Sequence, residues 1–213
     1  MMEFLANGSV TTPAGFVAGT AASSIKKEND LDVAVLYSEQ ACSAAAVFTR
    51  NQVVAAPVIV DRRTLVDNDN NIHAVVANSG NANACTGLQG VNNAEEMQSA
   101  VADALGCEAH QVLVLSTGVI GVQLPMEKIN AGIAMAASQM SADFGAQAAE
   151  AIMTTDTAPK YAAVCVELPD GTITIGGMAK GAGMIHPDMA TLLGVHSTDA
   201  VIDPATLQAC LRT

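Results

Sequence analysis

The stretch Val112-Leu113-Val114-Leu115-Ser116-Thr117-Gly118-Val119-Ile120-Gly121 decides how the chain is to be read. Its first four residues are apolar at every position, so a strand here offers no face to water and belongs in a sheet covered on both sides. It then runs into small residues at Ser116-Thr117-Gly118. Such a turn can aim backbone N–H groups and a hydroxyl outward, the arrangement an oxyanion hole requires. Taken alone, the segment is more simply an ordinary strand-end turn.

Working outward, short β-branched runs predict further strands at residues 33–36, 45–48, 53–60, 72–77, 162–168 and 172–175. Several are apolar on both faces and predict central, covered strands. Thr172-Ile173-Thr174-Ile175 alternates, as a half-exposed strand would, and Pro169-Asp170-Gly171 before it is a turn signal that predicts a hairpin. Helical periodicity fills the middle. Asn92 is positioned to cap a helix with Glu95 reaching back, Met97, Ala100, Val101, Ala104 and Leu105 on one face, and Gly106 at its end. A second helix starts near Pro125 with Met126, Ile129, Ile133, Ala137 and Met140 inward, and a third covers about 145–153. Asp203-Pro204 opens a fourth, with Leu207, Cys210 and Leu211 as an apolar stripe. The chain stops two residues later without a capping signal, which suggests a fragment of a longer polypeptide. The pattern describes an α/β (α+β) chain of layered sheets covered by helices.

Composition bounds the function. The 213 residues suit one large domain or two small ones, half are apolar, and with 3% aromatic residues and no Trp the core must rest on Ala, Val, Ile, Leu and Met. Nine basic against 21 acidic residues leave a net charge of -12, which argues against nucleic acid as a partner. No apolar run is long enough to span a bilayer and the N-terminus has no secretory pattern. The cysteines (Cys42, Cys85, Cys107, Cys165 and Cys210) are odd in number and widely spaced, which fits a reducing, cytoplasmic setting better than a disulfide framework or zinc knuckle. His73, His110, His186 and His196 are scattered, so no metal site is expected, and His73 reads as a satisfied core residue.

Three more segments can carry chemistry. Lys180-Gly181-Ala182-Gly183-Met184-Ile185-His186-Pro187-Asp188-Met189-Ala190-Thr191 is Gly-rich at its start, but lacks the third glycine of a dinucleotide fingerprint and the Lys-Ser/Thr of a P-loop; spacing favours a surface turn. Asn78-Ser79-Gly80-Asn81-Ala82-Asn83-Ala84-Cys85-Thr86-Gly87 is too polar for an element interior, and is either a binding loop or a solvated one. Cys85 within it reads as a passive thiol. Met153-Thr154-Thr155-Asp156-Thr157 closes the third helix with hydroxyls that either end it or bind polar groups of a substrate.

In shared order and spacing, these segments and Thr11-Thr12-Pro13-Ala14-Gly15-Phe16 resemble the glutamate N-acetyltransferase family, also called ornithine acetyltransferases, over nearly the whole chain. The resemblance implies an N-terminal-nucleophile-type acetyltransferase fold. It implies a precursor that cuts itself at Ala190-Thr191, making residues 1–190 an α chain and 191–213 the start of a truncated β chain. Thr191 would be the nucleophile and also touch substrate, Thr117 and Gly118 would stabilise the oxyanion, and Thr154 and Lys180 would bind substrate. N-acetylornithine would be the acetyl donor and glutamate the acceptor, in arginine biosynthesis. No cofactor is implied, acetyl-coenzyme A stands as an optional second donor, and the α and β chains would assemble as a heterotetramer. Asp188, where many members carry Asn, sets a negative charge near the scissile bond. A self-cleaving aminopeptidase-like hydrolase of related fold, or an inactive fragment, are the alternatives.

Overall fold

The structure, a computed structural model, describes residues 1–183 and 192–212. The covered strands read from the sequence form one sheet in the order β2 (Phe16–Ala21), β3 (Val33–Cys42), β4 (Ile72–Asn81) and β5 (Val112–Val119). The first three pair antiparallel, while β4 and β5 run parallel, joined by the helix α2 (Gly87–Leu105). Alternation along each strand explains why both faces are apolar. Val33, Val35, Ala74, Val76, Val112 and Val114 pack against α1 (Ala56–Asn68), α2 and α3 (Met126–Ala137), whose Val60, Met97, Val101, Ile129 and Ile133 complete that core. Ala34, Leu36 and Ala77 enter a second core instead, with Leu115 packed against it; Ala148, Ala149 and Ala151 of α4 (Gly145–Ala151) and Met178 share it.

Met178 belongs to the second sheet, ordered β1 (Met2–Phe4), β6 (Lys160–Leu168), β7 (Gly171–Lys180) and β8 (Leu193–Thr198), all antiparallel. Three helices, a sheet, α4 and a second sheet thus succeed one another as layers. Small side chains make the layers close. A Cβ on Gly19 in β2 would overlap the carbonyl of Ala136, so only glycine lets α3 lie this low on the sheet.

The β6–β7 hairpin forms as expected, with Leu168 opposite Gly171 across Pro169-Asp170. The Gly106 stop adopts the left-handed conformation at φ 74°. β7 extends well past the predicted 172–175, ending at Lys180.

Other expectations are corrected. Residues 45–48 form no strand. The expected strand at 53–60 is irregular at first and then becomes the start of α1. Pro57 decides this: it cannot donate to a central ladder, while its fixed φ suits a first helical turn. Asn92 is not the cap of α2, which begins at Gly87; Asn92 is an exposed residue within the helix, and Thr86 precedes it without a side-chain cap bond. Ala104 is exposed and Ala102 buried, a shift of the inner face by part of a turn. At the end of the described chain, Asp203 caps α5 (Pro204–Cys210) by accepting from the Thr206 N–H at 3.0 Å, but the Leu207, Cys210 and Leu211 stripe is not buried. The expected boundary at Ala190-Thr191 lies outside the described residues.

Candidate functional site at the ends of β4, β5 and β7

Thr117 lies near the end of β5, one residue pair beyond Leu115, and therefore on the face turned to the second sheet. Lys180 is the last residue of β7 in that sheet. Its Nζ donates to Thr117 Oγ1 at 2.8 Å, bringing together two residues 63 apart in sequence. Both are buried, Lys180 to 5% exposure and Thr117 to 8%. Burial pushes the Lys180 ammonium below its usual range; the charge of Asp156 opposes that shift and the charge of Lys160 adds to it. Among the described residues Lys180 forms no ion pair. With three donors and, among the described residues, one hydroxyl acceptor, this buried ammonium has capacity to bind an anionic group.

Gly118 follows at φ +136°, a conformation that disfavours any side chain. A Cβ there would run into the carbonyl of Gly80, its partner across the parallel pair. Two glycines back to back thus bring bare backbone to the strand ends beside Thr117.

The polar 78–87 segment, expected to be too polar for an element interior, starts as the last four residues of β4 and ends at the first residue of α2, and it braces this turn. Asn81 Nδ2 donates to the carbonyls of Val122 and Gln123 at 3.0 and 3.1 Å, and Asn81 Oδ1 accepts from the Asn83 N–H at 2.8 Å. Asn83 Nδ2 binds the Gly90 carbonyl at 2.8 Å, and Gln123 Nε2 binds that of Thr86 at 2.9 Å. Ser79 donates to the carbonyl of Ala151, tying the strand end to α4. The solvated reading does not hold: Asn78, Ser79, Asn81 and Asn83 are buried with their side chains bonded to backbone, so they brace the strand ends. Cys85 is exposed on it.

Thr154 stands in the turn after α4. Its N–H donates to Asp156 Oδ2 at 3.3 Å, while Asp156 Oδ1 accepts from the Gly181 N–H at 2.8 Å and from Lys160 Nζ at 2.6 Å. Burial would raise the Asp156 pKa, but these hydrogen bonds outweigh it and hold the carboxyl at about 2. One carboxylate therefore links the Thr154 turn to the residue after Lys180.

The sequence reading missed Lys26. Its stem passes over Gly80 and its Nζ donates to the Met153 carbonyl at 3.1 Å, on the peptide that leads into Thr154. The buried carboxylate of Asp32 shapes its loop, accepting from the N–H groups of Ser23, Ile25 and Lys26 at 2.7, 2.6 and 3.3 Å. Burial lowers the Lys26 pKa, opposed by Asp32, Asp30 and Glu150. Ser23-Ser24-Ile25-Lys26-Lys27 has the composition of any surface loop, and only the fold turns Lys26 inward.

The structure thus gathers Thr117, Gly118 and Lys180, and through Asp156 it adds Thr154. Ala190 and Thr191 lie outside the described residues. His73 Nδ1 sits 3.0 Å from the Ser38 carbonyl, a satisfied residue of the sheet. A surface depression bordered by Arg63, Thr64, Asp67, Asn68 and His110 lies at α1 and includes none of the site residues. Among the described residues no helix is long and apolar enough to cross a membrane.

This architecture is that of the ornithine acetyltransferases. The chain superposes on the ornithine acetyltransferase of Mycobacterium tuberculosis, solved in complex with ornithine, with a TM-score of 0.81 and 43% identity, covering 91% of this chain and 100% of that one. The arginine biosynthesis bifunctional protein ArgJ of Bacillus halodurans matches with a TM-score of 0.82 and 37% identity over 91% of this chain and 98% of that one. The ArgJ family model matches residues 17–213, and the chain belongs to that family. It is 55% identical over 213 residues to the arginine biosynthesis bifunctional protein ArgJ of Symbiobacterium thermophilum, covering 99% of this chain and 52% of that protein. The chain spans about half the length of the curated relatives it matches.

Proposed function

We propose that the protein carrying this chain transfers an acetyl group from N-acetylornithine to glutamate through an acetyl ester on Thr191, after cutting itself at Ala190-Thr191. Lys180 carries the argument. Its ammonium touches Thr117, and its backbone pairs with Leu193, two residues downstream of Thr191. That short separation along the sequence supports a reading in which Thr191 works together with Thr117 and Lys180.

The chemistry follows from these parts. Before the cut, the nitrogen of Thr191 is an amide and cannot accept a proton. Afterwards it is an α-amino group with a reference pKa of roughly 7.7–8.0, neutral often enough near pH 7 to serve as base for its own hydroxyl. The hydroxyl attacks the acetyl carbonyl. Thr117 and Gly118 stabilise the tetrahedral oxyanion, and ornithine leaves with the proton. Lys180 holds the α-carboxylate and Thr154 adds a polar contact. Glutamate then takes the acetyl group from the ester, restoring the threonine.

Two further observations support a cut. The two solved chains match over 98–100% of their own length with 91% of this chain, so they are shorter than it, while the curated relatives are about twice as long. Also, β8 is a strand of the same sheet as β7, so hydrogen bonds would keep the new α and β chains together. Incubating the full-length protein with N-acetylornithine and glutamate tests the reading: N-acetylglutamate must form. Free acetate alone would mark a hydrolase instead.

A further inference from the structure

The carboxylate of Asp156 is wholly shielded from water, with 0% side-chain exposure, although it sits in a polar turn. A charge withdrawn from solvent persists only where donors replace the lost hydration. Here the donors are the Thr154 N–H, the Gly181 N–H and the Lys160 ammonium. Two of the three belong to, or directly follow, residues assigned to substrate binding above. They come from different parts of the fold, the turn after α4 and the first residue beyond β7. Lys180 is the last residue of that strand to pair with β8, so the backbone at Gly181 has left the sheet and finds its acceptor in Asp156. Lys26 pins the other end of the same turn through the Met153 carbonyl.

We propose that Asp156 is a positioning residue, which holds Thr154 and Lys180 in place against Thr117 by accepting the N–H groups of Thr154 and Gly181 on one carboxylate. It rests on the acetyl-transfer reading above. Its positioning work is done through the two backbone N–H groups, whereas Lys160, itself half-exposed, helps keep the carboxylate charged from 2.6 Å. The negative charge also favours the protonated form of Lys180 against the effect of burial.

The test uses the full-length protein and compares Asp156→Asn with Lys160→Met. The Asn amide keeps the shape but places an NH2 where one oxygen accepted, setting donor against donor. We expect KM for N-acetylornithine to rise about tenfold in Asp156→Asn while kcat falls less than about threefold, because binding contacts are displaced rather than the oxyanion site. Lys160→Met should raise KM by less, since the carboxylate still holds both N–H groups. A melting curve confirms that each variant is folded at the assay temperature. If Asp156→Asn does not fold, Asp156→Glu keeps the charge, moves both oxygens by a methylene and should raise KM likewise. A folded Asp156 variant with unchanged KM, or a Lys160→Met variant as impaired as Asp156→Asn, overturns the proposal. A parent protein that transfers no acetyl group overturns the functional reading, and this proposal with it; an active parent with indifferent Asp156 variants overturns this proposal alone.

Discussion

Replacing Lys180 by Met should separate stability from function. Met has nearly the same length and no charge. In the parent, Lys180 is 5% exposed and, among the described residues, its ammonium has one hydroxyl acceptor, Thr117 Oγ1 at 2.8 Å. Burial disfavours its charged form, which is the cause of its lowered pKa. Exchanging a buried charge for an apolar side chain of similar volume is commonly neutral or stabilising by about 1–4 kcal/mol. Against this stands the lost hydrogen bond to a charged group, about 1.5–3 kcal/mol. The two nearly cancel, so the melting temperature of Lys180→Met should equal or slightly exceed that of the parent. Affinity should behave differently. Removing the cation that pairs with a substrate carboxylate should raise KM for N-acetylornithine by about 10–100-fold.

The pH dependence gives an independent check. A lysine with a folded-state pKa below its unfolded value near 10.5 penalises the folded state while protonated. That penalty is fully present below the lowered value and disappears as pH rises through the unfolded value. The parent should therefore gain stability with rising pH across that interval, and Lys180→Met should lose that gain. Thermal denaturation at several pH values, with initial rates at neutral pH, supplies the data. Marked destabilisation of Lys180→Met with unchanged KM would refute the reasoning, because Lys180 would then be a structural residue.

Three further expectations follow from the same geometry. Gly118→Ala would force a side chain into the Gly80 carbonyl at a positive φ, and should destabilise the fold by about 1–3 kcal/mol while lowering turnover roughly 10²–10³-fold, read by melting and by rates. Thr191→Ala should leave an uncut precursor on a denaturing gel; two bands would exclude Thr191 as the nucleophile. Asp61, buried in α1 with Oδ1 accepting from the Val114 N–H at 2.8 Å, has its pKa raised by burial to about 8. A carboxyl with a raised folded pKa contributes stability that is present below its unfolded value near 4 and is lost as pH rises towards 8. Asp61→Asn keeps an acceptor for Val114, so it should flatten that decline and be the more stable form at pH 8 by on the order of 2 kcal/mol in a denaturant titration.

Much of the sheet was legible because its strands are apolar on both faces. Val112, Val114 and Leu115 could only be buried, as could Val33, Val35 and Leu36, and the Pro169-Asp170 turn fixed one hairpin locally. The misreadings share a cause. Val53, Val54, Val58, Ile59 and Val60 carry high β-propensity, yet Pro57 and the free face of β5 turned the segment into a helix. β2 escaped notice because Phe16-Val17-Ala18-Gly19-Thr20-Ala21 is rich in small residues of weak strand preference, held in place by β3 and by α3 packed close over Gly19. Of the site, Thr117, Gly118, Thr154 and Lys180 were read from motif order. Lys26 and the clasping role of Asp156 were not, since a lysine in a polar loop and an aspartate among threonines carry no local mark of burial.

Periodicity, turn residues and motif order are properties of neighbouring residues, and they were enough to name the layers, the family and most of the residues proposed for chemistry. The meeting of Thr117 with Lys180 across 63 residues is of another kind. It depends on where two separate sheets end relative to each other, which the packing of α4 between them sets. Tertiary surroundings rather than residue type also move protonation equilibria: burial lowers the pKa of Lys180, while the hydrogen bonds that converge on Asp156 overcome the effect of burial and lower its own.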